Sequence, residues 1–145
     1  MSKSMRQKHF LTLLIIDIDD FKKINDCYGH QQGDRILREV ADVIQFNVRE
    51  IDVCARYGGE EFAVVLPYAD RRIGGMIAER LRKSISQIKG NFHGTTGITK
   101  VTVSIGVAVG PHDILDIHGL IHKADMAMYQ AKKDGKNRIS YSNVH

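Results

Sequence analysis

Residues 11–18, Leu-Thr-Leu-Leu-Ile-Ile-Asp-Ile, constrain this chain more than any other stretch. They are apolar, become β-branched toward their end, and run straight into acid at Asp17, Asp19 and Asp20. Such a run reads as a buried strand and is far short of a membrane span. The rest of the chain supplies a sheet around it and helices to cover it. Residues 19–25 read as a short helix and residues 28–33 as a loop. A helix is predicted over 33–49, with Leu37, Val40, Ala41, Ile44 and Val48 at helical spacing. Residues 53–57 and 61–66 form a hairpin signal around Gly58-Gly59-Glu60, closed by Pro67. A helix over 71–88 would bury Ile73, Met76, Ile77, Leu81, Ile85 and Ile88. Residues 91–97 read as a loop, 100–109 as a strand and 138–141 as a short final strand. A last helix over 114–133 would turn Ile117, Leu120, Ile121, Ala124, Met128 and Ala131 inward, with Tyr129 also assigned to the core and Asp134-Gly135 as its cap. The order β-α-α-β-β-α-β-α-β predicts an α+β fold, a central, mostly antiparallel sheet flanked by helices.

At 145 residues the chain is one ordinary domain without repeats or linkers. Two cysteines, Cys27 and Cys54, make no disulfide framework and point to a reducing compartment. No stretch reads as a signal peptide. The net charge of +4, from 21 basic and 17 acidic residues, is mild for a nucleic-acid binder and fits a small anionic ligand. No track of aromatic residues for stacking single strands accompanies it, which argues against a polymerase acting on nucleic acid.

Asp17 and Asp19 lie two apart, so their side chains leave the strand on the same side. A hairpin that brings Glu60 and Glu61 alongside gathers up to four carboxylates. These are hard oxygen ligands suited to Mg²⁺, and Gly58-Gly59 leaves room for a ligand to approach. The residues alone leave two readings open, a metal site or a solvated strand end. Asp20, Phe21 and Lys22 open the next helix, whose free amides and dipole form a seat for phosphate.

Several separate motifs then occur in one order: DIDDFKKIND, YGHQQGD, RYGGEEF, VTVSIGVA and ADMAMYQAKKDGKNR. Together they resemble the GGDEF family, the diguanylate cyclases, in its GGEEF form, over residues 11–141. The resemblance implies the nucleotide cyclase or polymerase palm fold, with the hairpin carrying GGEEF. It implies condensation of two GTP into cyclic di-GMP plus two pyrophosphates at a homodimer of GTP-bound domains. By similarity Asp17, Glu60 and the Ile18 carbonyl would ligate Mg²⁺, with Mn²⁺ as a substitute. Glu61 would be a further ligand or help deprotonate the attacking 3′-hydroxyl. Asn25 and Asp34 would read guanine, though by residue type alone they also suit a helix terminator and an N-terminal cap. The Phe21 and Lys22 amides would hold phosphates, with Lys132 and Lys136, four apart on the last helix, at the β- and γ-phosphates. The family often has Arg at position 136. Arg49 and Asp52, an RxxD just upstream of the signature, would bind cyclic di-GMP as an inhibitory site, with Arg80 as its second arginine.

The family usually opens with DxLTGLxNR, and Met1–Phe10 does not match it. The expected division is a leader over 1–10 and a GGDEF domain over 11–145. The chain is expected to be part of a longer sensor, in the bacterial cytoplasm or on the cytoplasmic side of a membrane anchor. The alternative is a domain that binds GTP or cyclic di-GMP for regulation and turns nothing over. Degenerate members usually lose GG or an acid from the signature, and this sequence keeps both.

Overall fold

The computed structural model describes residues 10–89, 100–111 and 117–142. The element order is β1 (Phe10–Ile18), α1 (Phe21–Tyr28), α2 (His30–Asn47), β2 (Val53–Arg56), β3 (Glu61–Pro67), α3 (Arg71–Ile85), β4 (Val103–Pro111), α4 (Ile117–Lys133) and β5 (Arg138–Tyr141). The five strands form one sheet in the order β2-β3-β1-β4-β5. All neighbours are antiparallel except β4 and β5, which run parallel across α4. The expected α+β architecture is therefore present.

The first strand is continuously apolar because it is central and both of its faces are covered. Leu14, Ile16 and Ile18 pack with Phe62, Val64, Ile105 and the inner faces of α1, α2 and α3. Leu11, Leu13 and Ile15 point the other way, against Leu120, Ala124 and Met128 of α4. This gives three layers, with β1 at the centre of the middle one.

Four expectations need correction. Residues 28–33 are not a loop: α2 already starts at His30, and the break is a single residue, Gly29, at φ 92°. Its left-handed backbone, open to glycine, turns the chain between the two helices in one step. The buried stripe of α2 also includes Ile36, which the sequence reading left out. Met76 and Ile117 are exposed rather than inward, and Tyr129, assigned to the core, is 68% exposed. Helix α3 ends at Ile85 and strand β4 begins at Val103, with the Thr102 carbonyl just before it accepting the Asp19 amide at 2.9 Å. The loop expected over 91–97 lies outside the described residues.

Helix α4 sits unusually close to the sheet at Gly106 of β4. A Cβ there would lie 1.9 Å from the Ala124 carbonyl oxygen and 2.3 Å from the Met128 amide. Gly106→Ala should cost about 2 kcal/mol or more, read by urea denaturation, because backbone rather than a flexible side chain must move. A loss below roughly 0.5 kcal/mol would mean that α4 is free to slide.

Candidate active site

The sheet register assembles the acids that the sequence separates. Asp17 pairs with Glu61 on β3 and with Ser104 on β4. The Ile18 amide donates to the Glu60 carbonyl at 3.2 Å, which closes the corner between β1 and the hairpin. The hairpin turn is tied by the Tyr57 and Gly58 amides, both donating to the Glu61 carbonyl. Arg56 Nε reaches back to the Gly58 and Gly59 carbonyls at 3.3 and 3.2 Å. A Cβ at Gly59 would meet nothing within 4 Å, so the turn presents bare backbone to an open cleft.

Asp17 is held under electrostatic tension. Burial raises its pKa to about 6, Lys132 opposes the shift, and the Glu60 and Glu61 charges add to it. Glu61 is also raised, by burial first and then by the Asp125 and Glu60 charges. The site's present counter-charge is Lys132 Nζ, 3.3 Å from Asp17 Oδ1 and 3.0 Å from Asp19 Oδ1. A divalent cation fits this corner, because it would supply the positive charge that the carboxylates lack. No group of three or more Asp, Glu, His or Cys side chains among the described residues forms a ready metal cage.

Asp19 does a different job from Asp17. Its carboxylate is buried and accepts from Thr102 Oγ1 and Ser104 Oγ at 2.7 Å each, from the Asn137 amide at 3.0 Å and from Lys132 Nζ at 3.0 Å. Asp20 precedes α1 in a left-handed conformation, φ 57°. The amides of the first turn, Phe21 and Lys22, have no intrahelical acceptor and face the same region. Lys136 Nζ lies 2.7 Å from Asp20 Oδ1. Contrary to expectation, Lys136 is not on the last helix. Helix α4 stops at Lys133 and closes in a Schellman arrangement, with Gly135 N–H donating to the Lys132 carbonyl and Lys136 N–H to the Ala131 carbonyl. Lys132 and Lys136 still converge on the acidic corner, one from the helix and one from the turn after it.

A cleft of about 450 Å³ runs from this corner to Asn25 and Asp34, lined also by Phe21, Lys22, Arg56 and Glu60. Asn25 Oδ1 is buried without a hydrogen-bond partner in the structure. A Cβ at Gly33 would sit 1.8 Å from that oxygen, so glycine is what lets the two helices close around it. Asn25 lies inside α1 and Asp34 in the second turn of α2, so neither is a terminator or a cap.

The RxxD residues lie elsewhere. Arg49 and Asp52 are closed on each other, with Nη2 to Oδ1 at 2.8 Å and the Arg49 amide donating to Oδ2 at 2.6 Å. Asp52's carboxylate is fully buried beneath Arg49, which also donates to the Pro67 carbonyl at 2.7 Å. Arg80 on α3 donates to the Asn47 carbonyl, two residues before Arg49. Arg49 and Arg80 thus lie on one surface, with Asp52 buried beneath it.

The sequence reading missed Arg56 as a lining residue, although it stands inside RYGGEEF. It missed Asp125 on α4, whose charge acts on Glu61, and no short motif announces it. Cys54 is half-buried with its thiol pushed up by burial, which leaves it unsuited as a nucleophile. No helix among the described residues is long and apolar enough to cross a membrane.

Comparison with known proteins agrees with this fold. The family model described as "Diguanylate cyclase, GGDEF domain" matches residues 1–138. Diguanylate cyclase A of Treponema denticola is 41% identical over 142 residues, 98% of this chain but 38% of that protein. The active GGEEF domain of a diguanylate cyclase from Vibrio cholerae superposes with TM-score 0.84 at 30% identity, covering 99% of this chain and 89% of that one. The GGDEF domain of DgcB from Caulobacter crescentus, solved with c-di-GMP, superposes with TM-score 0.83 at 33% identity, covering 95% and 81%. The chain spans under half the length of the curated relatives described.

A raised acid pKa means that the folded state binds its proton more tightly than the unfolded chain, so stability falls as pH rises from about 4 to about 6. Asp17→Asn, which carries no charge, should therefore stabilise the metal-free protein at pH 7.5 by about 1–3 kcal/mol, with the gain fading near pH 4. Thermal denaturation in chelator checks this; a variant less stable than wild type at pH 7.5 would contradict it.

Proposed function

This chain belongs to the diguanylate cyclase GGDEF-domain family, and we propose that it condenses two GTP molecules into cyclic di-GMP and two pyrophosphates. The observation that carries the reading is the cleft with two unlike ends. At one end lies a buried, unpartnered acceptor on Asn25 beside Asp34. At the other lies Glu60 beside the first turn of α1, next to the paired strand ends of Asp17 and Glu61. A purine nucleotide has the matching polarity, base at one end and phosphates at the other.

Asp34 would accept the guanine N1–H and N2 amine, and Asn25 would complete the base edge. Adenine presents the reversed pattern and would leave both groups unpaired, at a cost of a few kcal/mol. The Phe21 and Lys22 amides would hold phosphate oxygens at the helix N-terminus, with Lys132 and Lys136 countering the β- and γ-phosphates. Asp17, Glu60 and the Ile18 carbonyl would hold Mg²⁺, or Mn²⁺ in its place. When bound, the metal supplies charge neutralisation for the phosphates and for the attacking and leaving oxygens. Glu61, whose burial and acidic neighbours raise its pKa, is suited to accept the 3′-hydroxyl proton. Each attacking oxygen forms a bond to the α-phosphorus of the other GTP as the bond to the β-phosphate bridging oxygen breaks and pyrophosphate leaves. One cleft holds one GTP, so the second must arrive on another copy of the chain.

Arg49, Asp52 and Arg80 are proposed as the inhibitory cyclic di-GMP site. The proximity of Arg80 to the Arg49 segment supports this. Bound product would exchange Arg49's bonds to Asp52 and Pro67 for its own phosphate and guanine edges. The curated relatives are more than twice as long as the stretch they share with this chain, which supports a domain of a longer cytoplasmic or membrane-tethered sensor.

Incubation of concentrated protein with GTP and Mg²⁺, with mass identification of the product, tests the reading. Cyclic di-GMP should form, specific activity should rise with protein concentration, and Glu60→Gln should lower the rate at least about a hundredfold with the fold intact, roughly 2.7 kcal/mol of barrier. A regulatory binder would bind GTP and form no product. Arg49→Ala should weaken cyclic di-GMP binding roughly tenfold while GTP binding stays within about twofold. Calorimetry with both ligands decides it, and equal cyclic di-GMP affinity in the two proteins would remove the inhibitory assignment.

A further inference from the structure

Three of the non-glycine residues with left-handed backbone lie together at the phosphate end of the cleft: Asp20 at φ 57°, Lys136 at φ 65° and Asn137 at φ 50°. Such conformations cost energy and persist only where the surroundings over-determine them. The surroundings of the 136–137 turn are specific. The Asn137 amide donates to Asp19 Oδ2 at 3.0 Å, and its side-chain Oδ1 accepts from Arg82 Nη1 at 2.9 Å. Arg138 Nε donates to the Lys136 carbonyl at 3.1 Å. Arg82 stands on α3, away from the cleft, and is itself gripped two-fold by Glu79, at 2.8 and 2.6 Å. Its remaining nitrogen is aimed at the turn.

We infer that Arg82 is a positioning residue for the phosphate-facing lysines, acting through Asn137, with Asp19 as the opposing jaw of the same clamp. Arg82 fixes the side chain of Asn137, and Asp19 fixes its backbone. Between them they hold the left-handed turn that carries Lys136 over Asp20, while Asp19 also holds Lys132. Without Arg82 the Asn137 side chain loses its charged partner and the turn gains access to other backbone conformations. The lysine ammonium groups then have to be ordered by the ligand, which weakens binding without removing any group that touches it. The inference rests on the assignment of Lys132 and Lys136 to phosphate in the proposed function. The competing explanation is that Arg82 only ties one turn of α3 through Glu79.

The test uses the full chain with inorganic tripolyphosphate and Mg²⁺ in a calorimeter, which needs no turnover. Arg82→Ala should weaken binding about fivefold, as should Asn137→Gly, which leaves α3 untouched. Adding Arg82→Ala to Asn137→Gly should change affinity less than about twofold, because both act through one contact. Hydrogen exchange at the Asn137 amide should accelerate about tenfold in Arg82→Ala. Equal losses from Arg82→Ala in both backgrounds would assign it to the Glu79 pair and overturn the inference. So would wild-type affinity in Asn137→Gly, an unchanged Asn137 exchange rate, or a wild-type chain that does not bind tripolyphosphate. A chain that behaves as expected here yet forms no cyclic di-GMP would leave this inference standing and defeat only the cyclase reading.

Discussion

The carboxylate of Asp19 is taken out of water and surrounded by donors from three separate parts of the chain: Thr102 just before β4 and Ser104 within it, Lys132 on α4, and the amide of Asn137 before β5. A buried carboxylate is costly unless such partners are in place, so the partners and the carboxylate order one another. Everything polar at the end of β1 is arranged around it. Lys132 is drawn beside Asp17, the turn that carries Lys136 is anchored, and the chain leaving β1 is pinned by the Asp19 amide to Thr102. The site is thus held from beneath by an acid that lines none of the cleft.

Asp17, two residues away, is the contrasting case. It is buried enough to have its pKa raised to about 6, and its neighbours Glu60 and Glu61 make matters worse. A fold selected for stability alone would place a neutral residue there. The same is true of Asn25 Oδ1, buried with no partner, and of the left-handed Asp20. These three departures lie in or beside the cleft, and under the proposed function each would meet a part of one ligand: a cation at Asp17, a base edge at Asn25, phosphates at the helix that follows Asp20. Unfavourable local terms that share one remedy are what a pre-organised binding site looks like.

The packing makes that arrangement affordable. The two clusters on opposite faces of β1 rest on aliphatic side chains, with α4 drawn onto the sheet through the missing side chain of Gly106. The site sits at the end of the central strand, where the apolar layers stop and the carboxylates first meet solvent. Rigid strands and helix ends therefore position most of its side chains, and the hairpin turn is stiffened by Arg56 across its own carbonyls.

The element order, the strand at the centre of the sheet and the acids at its end were legible in the amino-acid pattern alone. Those follow from period-two and period-3.6 patterns and from motifs contiguous in the chain, which are local properties. The pattern misread residues 28–33, because one left-handed glycine can join two helices where the Gly-His and Gly-Asp pairs suggest a loop. It put Lys136 on α4, because spacing of four looks helical until a Schellman turn intervenes. It assigned Tyr129 to the core, because its apolar ring lies in a helical pattern whose exposed side the sequence does not mark. That Asp19 gathers donors from three parts of the chain, that Asp52 is buried beneath Arg49, and that Arg82 reaches Asn137 emerge from the packing in three dimensions. These are contacts between residues 3 to 118 apart along the chain. Whether a carboxylate faces a cation, a hydroxyl or water depends on which elements the sheet brings beside it, and no local pattern carries that information.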